Sequence, residues 1–336
     1  MCRASGCGPL FERHGNNTRQ INLWYSITDW QSDRRGTMRY GYVGIGNLGS
    51  QLAMSLIHAG FDLTVYDRDP AAAARLGEVG ATVAPSLAAL AEEVDHIFTC
   101  LPTPQASEVV LAQVLPGLRP GATWIENSTL GRDDVLRLAH LADDQGVGML
   151  EAMVTGGLHR ASRGEITLLV GGPEAIYQMH QPALKAMGRQ HFHMGPLGSA
   201  ALMKVITNML AFAHLVLDGE AMMLAKRGGL DLRTAWEAIS ASSGSSFVHE
   251  TEGQLILNGS YQIGFTMDLA LKDLDFAMRF GREFGVPLDL ASQVNQTFLK
   301  GRAAYGGKAQ STQIVKLLED LLQTELRAEG FPARLG

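Results

Sequence analysis

The chain has 336 residues, 46% apolar and 18% charged, enough for one large domain or two ordinary ones and too apolar for wholesale disorder. Its 28 Lys plus Arg against 34 Asp plus Glu give a formal charge of −6, which argues against a polyanion-binding surface. The three cysteines (Cys2, Cys7, Cys100) form neither a disulfide framework nor a metal-ligand spacing, and no run of 18 apolar residues reads as a membrane span. The expected setting is therefore the cytoplasm, with no nucleic-acid, membrane or metal partner.

Residues 1–37 carry scattered charges and aromatics without a sustained period, and the pattern changes abruptly at Met38. They read as a segment ahead of a true start at Met38, or else as a genuine extension. From residue 40 a short apolar strand enters Gly44-Ile45-Gly46-Asn47-Leu48-Gly49, a G-x-G-x-x-G turn opening an amphipathic helix that ends at Gly60. Gly44 allows the turn, Gly46 leaves room for a pyrophosphate, and Gly49 lets the helix approach the sheet. The unpaired N–H groups of the helix start then face the phosphates. A second strand ends at Asp67, 18 residues past Gly49, where a carboxylate suits an adenosine ribose and repels a 2′-phosphate. That favours NAD, while the adjacent Arg68 keeps NADP possible.

Further strands and helices alternate to about residue 155, the mark of a mostly parallel sheet covered on both faces. Ligands in such sheets sit beyond the carboxyl ends of the strands, here Pro102-Thr103, Ser128-Thr129 and Thr155-Gly156-Gly157. Another strand at 165–172 and a helix follow, with His191 and His193 read as structural or surface groups on a short extended segment. A long periodic helix is predicted over 199–227, and helical spacing over 231–241, 266–284, 287–300 and 309–327. The resulting division is a dinucleotide-binding domain at 38–198 and a helical domain at 199–330. On the long helix Lys204 and Asn208 lie one turn apart on one face, a pair able to hold a substrate oxygen and exchange its proton. A solvated lysine and a packing amide fit the same spacing.

Several of these segments together resemble the β-hydroxyacid dehydrogenase family, which includes 3-hydroxyisobutyrate dehydrogenases and tartronate semialdehyde reductases. The resemblance runs from residue 40 to about 325. The opening strand-turn-helix resembles the family's cofactor signature. Leu101-Pro102-Thr103 is similar to its loop beside the cofactor, and Asn127-Ser128-Thr129 to its loop near the nicotinamide. Residues 151–157, EAMVTGG, resemble the substrate loop D-A-P-V-S-G-G, with Glu151, Met153 and Thr155 departing from it. The resemblance implies a substrate carboxylate on Thr155, Gly156 and Gly157, catalysis by Lys204 and Asn208 in segment 195–208, and Lys272 reaching over cofactor and substrate. For Lys272 a helical ion pair with Asp268 or Asp275 is the competing reading.

The implied fold is an α/β, Rossmann-type sheet domain followed by an all-α domain joined by the long helix. The implied assembly is a homodimer or homotetramer. The implied activity is NAD-dependent hydride transfer to or from a small β-hydroxy acid, as in 3-hydroxyisobutyrate dehydrogenases. Tartronate semialdehyde reduction is the near alternative, and a non-catalytic NAD(P)-binding interaction protein the distant one.

Overall fold

The computed structural model describes residues 38–336, so the expectations for residues 1–37, Cys2 and Cys7 included, lie outside the described residues. Eight strands form one sheet: β1 (Arg39–Val43), β2 (Asp62–Tyr66), β3 (Thr82–Val83), β4 (His96–Thr99), β5 (Thr123–Glu126), β6 (Gly148–Thr155), β7 (Ile166–Gly171) and β8 (Gly188–His193). Their order is β3-β2-β1-β4-β5-β6-β7-β8. The first six run parallel, β7 turns back antiparallel to β6, and β8 pairs parallel with β7. Every residue of β4 and β5 is buried, as strands covered on both faces require.

The covering helices are α1 (Asn47–His58), α2 (Pro70–Gly77), α3 (Leu87–Glu93), α4 (Pro104–Val114), α5 (Arg132–Asp143), α6 (Leu158–Ala161) and α7 (Glu174–Met187). Their starts are written locally. Asp69, Ser86 and Thr103 each accept a hydrogen bond from a backbone N–H of the first turn, and Pro70 and Pro104 follow two of these caps. Leu52 and Leu56 of α1 meet Phe98, Leu150 and Leu184 in the core on one face of the sheet. Leu90, Leu111 and Leu138 pack on Ile97 and Trp124 on the other.

The second half comprises α8 (Ser199–Arg227), α9 (Leu232–Ser240), α10 (Phe247–Asn258), α11 (Met267–Glu283), α12 (Asp289–Tyr305) and α13 (Lys316–Leu322). Phe212, Leu215 and Met222 of α8 share a core with Ile256, Leu271, Leu274 and Phe298. The 29 residues of α8 are long and apolar enough to cross a membrane by length and composition. Ala201 of this helix joins a sheet-side core and Phe212 the helical one, while Leu210, Leu217 and Leu224 are exposed.

Three elements differ from the sequence reading. The helix expected at 309–327 is a 3-10 turn, Ser311–Val315, followed by α13, which ends where Gln323 takes a left-handed φ of 49°. Helix α10 was not anticipated, because buried His249 and Gly253 interrupt its apolar face. His249 is placed there by Asp218 of α8, 2.5 Å from its Nδ1, and Gly253 lies against Asp218 and Trp236. The extended segment around His191 is a full strand whose residues are largely exposed or half-buried, which hides it from an apolar-run reading. His191 Nδ1 meets the Tyr177 hydroxyl at 2.7 Å and His193 Nε2 the Gly172 carbonyl at 2.8 Å, both structural contacts.

Candidate functional site

The carboxyl ends of β1, β2, β4, β5 and β6 open onto a cleft of about 1890 Å³ whose far wall is built by α8, α10 and α11. It exceeds the roughly 300–1,000 Å³ of a drug-sized pocket, so it has room for a dinucleotide and a small acid together. At its β1 end Gly44 has a φ of 87°, and a Cβ on Gly49 would lie 2.0 Å from the Gly44 carbonyl oxygen. The turn therefore needs both glycines. A Cβ on Gly46 would meet nothing within 4 Å, so open space lies over the turn. Helix α1 begins without a side-chain cap and without an acid in its first turn. Free N–H groups facing open space fit a pyrophosphate.

Asp67 terminates β2 with Oδ2 accepting from the Ile45 N–H at 2.8 Å and Oδ1 from the Asp69 N–H at 2.9 Å. Ile45, Asn47, Leu48, Asp67 and Arg68 line the same end of the cleft, joined by Arg75 of α2, which sequence reading missed. Leu101 and Pro102 line the next stretch. Thr103 follows them, its hydroxyl accepting from the Ala106 N–H and capping α4. Ser128 lines the cleft, and its hydroxyl is held between two loops. It accepts from the Leu101 N–H at 2.7 Å and donates to Glu126 Oε1 at 2.5 Å. Burial pushes the Glu126 carboxyl above its ordinary pKa, against the pull of the Ser128 bonds.

Strand β6 sorts the three departures from the substrate-loop pattern by its two-residue period. Glu151, Met153 and Thr155 alternate with Ala152 and Val154, which pack in the opposite core. Met153 is buried against the Trp124 side of the sheet and does not line the cleft. Glu151 is fully buried and accepts from the backbone N–H groups of Gly198, Ala200 and Ala201 at 2.6, 3.0 and 2.9 Å. Its pKa is pushed up to about 7 by burial, with these N–H groups pulling the other way. Thr155 alone of the three reaches the cleft, followed by Gly156 and Gly157 at φ 121° and 81°.

Across from this turn, Lys204 and Asn208 are both buried. Lys204 Nζ donates to Asn208 Oδ1 at 2.8 Å, and Asn208 Nδ2 donates to Asp273 Oδ2 at 2.6 Å. Burial lowers the Lys204 pKa to about 8, with Asp273 opposing and Lys272 adding to the shift. Lys272 spans the cleft from α11, donating to the Thr129 carbonyl at 2.8 Å. Its ion pair is with neither Asp268 nor Asp275 but with Asp273, at 2.9 Å. Asp268 instead meets Arg302, and Asp275 accepts from Asn295.

The structure thus brings together the sequence-predicted residues of the glycine turn, Asp67, Arg68, Leu101, Pro102, Ser128, Thr155–Gly157, Lys204, Asn208 and Lys272, with Thr103 next to Pro102 at the start of α4. It adds His159, Arg160, Asp273 and Phe247. No spacing rule marks these four. Asp273 was visible as the neighbour of Lys272, whereas Phe247 belongs to the unanticipated α10.

A nucleotide-cradling parallel sheet facing a helical wall with a buried lysine defines a two-domain NAD(P)-binding oxidoreductase. Residues 39–195 match the family described as the NAD binding domain of 6-phosphogluconate dehydrogenase. Residues 198–318 match the NAD-binding family of NADP-dependent 3-hydroxyisobutyrate dehydrogenase. The chain is 30% identical over 289 residues to 2-(hydroxymethyl)glutarate dehydrogenase of Eubacterium barkeri, covering 85% of this chain and 96% of that one. It is 31% identical over 268 residues to the mitochondrial 3-hydroxyisobutyrate dehydrogenase of Rattus norvegicus, covering 77% and 80%. The crystal structure of a 3-hydroxyisobutyrate dehydrogenase from Salmonella typhimurium superposes with a TM-score of 0.78 at 28% identity, covering 83% of this chain and 99% of that one. The chain belongs to the 3-hydroxyisobutyrate dehydrogenase-related β-hydroxyacid dehydrogenases, oxidoreductases of small hydroxy acids.

Proposed function

We propose that this protein is an NAD-dependent dehydrogenase of a small β-hydroxy acid, of the 3-hydroxyisobutyrate dehydrogenase type. The observation that carries the reading is the buried Lys204–Asn208–Asp273 chain in the wall of the nucleotide cleft. Bound nicotinamide supplies or accepts the hydride. The protein's task is to hold the acid and move one proton.

Thr155 and the Gly156 and Gly157 N–H groups hold the substrate carboxylate in this scheme. Asn208 spends its carbonyl oxygen on Lys204 and one amide hydrogen on Asp273, which fixes the lysine rotamer and leaves a second amide hydrogen for the reacting oxygen. Lys204 keeps two N–H hydrogens beyond its bond to Asn208. With its pKa near 8, the ammonium gives a proton to a developing alkoxide and the neutral amine takes one from an alcohol. Asp67, already turned onto the glycine loop, favours the ribose of NAD over the 2′-phosphate of NADP.

The test is initial-rate absorbance at 340 nm with 3-hydroxyisobutyrate and with tartronate semialdehyde, with NAD(H) and NADP(H) in parallel. Turnover of 3-hydroxyisobutyrate with NAD is the expected result. Protein that binds NADH yet is silent with both acids in both directions would overturn the reading.

A further inference from the structure

Arg160 is a charged side chain in the cleft wall that the reaction above leaves unused. It lies in the single turn α6, and its stem folds back over the substrate turn, with Cδ 3.1 Å from where a Cβ on Gly156 would sit. Its guanidinium carbon stands 4.6 Å from the centre of the Phe247 ring, across the cleft on α10. The His159 ring stacks on the same phenyl at 5.8 Å. Ser245 and Ser246 line the wall beside them.

The other cations near the substrate turn have protein partners. Lys272 pairs with Asp273, Arg163 with Glu165, and Lys204 donates to Asn208. Arg160 pairs with no carboxylate among the described residues; its contact is the Phe247 ring. A guanidinium stays protonated at every working pH, and a phenyl face gives its five N–H donors no oxygen. Its planar fork matches a carboxylate with two parallel hydrogen bonds. His159 adds little charge, because burial and the neighbouring Arg163 and Arg160 hold its pKa below the ordinary value. One full positive charge suits a monoanionic carboxylate better than a dianionic phosphate ester.

We propose that Arg160 binds a second carboxylate of the substrate, so that the acid turned over is a dicarboxylic β-hydroxy acid. One carboxylate occupies the Thr155–Gly157 turn and the other the guanidinium against Phe247. The proposal rests on the reading of the cleft as a hydroxy-acid dehydrogenase site. It adds the substrate class.

The test compares 3-hydroxyisobutyrate with 2-(hydroxymethyl)butanedioate, the same molecule with a carboxylate added to its methyl group, and with the amide of that added carboxylate. Wild-type protein is expected to favour the diacid in kcat/KM by about 100-fold or more over both. Arg160→Met keeps the apolar stem and removes the charge. It is expected to lower kcat/KM for the diacid by about 50-fold while leaving the monoacid within about threefold and NADH affinity unchanged, and Arg160→Lys to restore part of the preference. Equal turnover of diacid and amide by the wild type would overturn the proposal. So would equal losses on both acids in Arg160→Met, which would make Arg160 a purely structural partner of Phe247, or weakened NADH binding, which would place the guanidinium on the cofactor. Calorimetric titration of the diacid into the protein–NADH complex separates this idea from the reaction itself. Binding that Arg160→Met abolishes supports the subsite even if turnover fails, and absence of binding to the wild type sinks it.

Discussion

Glu151 and Gly198, 47 residues apart, meet at 2.6 Å where a strand carboxylate takes the first backbone N–H of the long helix. Ala200 and Ala201 give the same carboxylate their N–H groups. A helix start leaves its first N–H groups without intrahelical partners, and its positive dipole end favours an anion. Glu151 answers both needs and ties the strand that ends in the Thr155–Gly157 turn to the helix of Lys204. Gly171 makes the space, since a Cβ there would lie 2.1 Å from Glu151 Oε1.

Glu151→Ala is therefore expected to lower stability by about 3–5 kcal/mol, from orphaned N–H groups plus a buried cavity. Urea unfolding followed by circular dichroism measures it. A loss under about 1 kcal/mol would mean that water or backbone rearrangement replaces the clamp.

Lys204→Met is expected to abolish turnover while leaving NADH binding intact. It should also raise stability at pH 7. The folded-state pKa near 8 lies below the ordinary 10.5, so the unfolded chain binds the extra proton between those values. Wild-type stability then rises with pH from 8 to 10.5 and carries the full penalty below 8. Removing the charge should recover about 1–3 kcal/mol at pH 7, less the lost bond to Asn208. Thermal melts at pH 7 and pH 10.5 check this, with the gain of Lys204→Met shrinking at the higher pH.

The pH profile carries the second sign of the same group. Reduction needs the ammonium, so its kcat/KM should be level below about 8 and fall above it. Oxidation needs the amine and should rise through the same region to a plateau. Profiles in the two directions that move together would remove Lys204 from proton transfer.

Asp273→Asn tests the end of the chain. The Asp273 charge is the influence that raises the Lys204 pKa against burial and Lys272. Its removal should shift the midpoint of both profiles to lower pH, with kcat at the new optimum reduced less than in Lys204→Met. An unshifted midpoint would show that Asp273 acts on rotamers alone.

Local and periodic signals were the legible part of this fold. The glycine turn and the continuous spacing of α8 are each written within a few neighbouring residues. What stayed hidden depends on distant partners. His249 breaks the apolar pattern of α10 because it pairs with Asp218, 31 residues away. Lys272 stood beside two plausible acids one turn away and chose the adjacent Asp273, because Thr129 across the cleft fixes where its ammonium rests. Arg160 carries no spacing signal, since its significance lies in a ring 87 residues further on.

The reversal of β7 decides from which end the lysine arrives. Had β7 run with its neighbours, the chain would leave the top of the sheet, and a following helix would descend away from the ligands. Because β7 and β8 run downward, α8 starts beside Glu151, deep in the sheet, and climbs alongside β6 in the same direction. From Glu151 to Thr155 the strand climbs about 13 Å, and from Ala201 to Asn208 the helix climbs about 10 Å. Two upward segments of nearly matched height thus bring Thr155 and Asn208, one helical turn above Lys204, to nearly one level. A one-residue insertion between Glu151 and Thr155 would both mismatch the two heights and turn Ala152 and Val154 out of their core, so the length of this ascent is fixed twice, by the level it reaches and by the faces it packs.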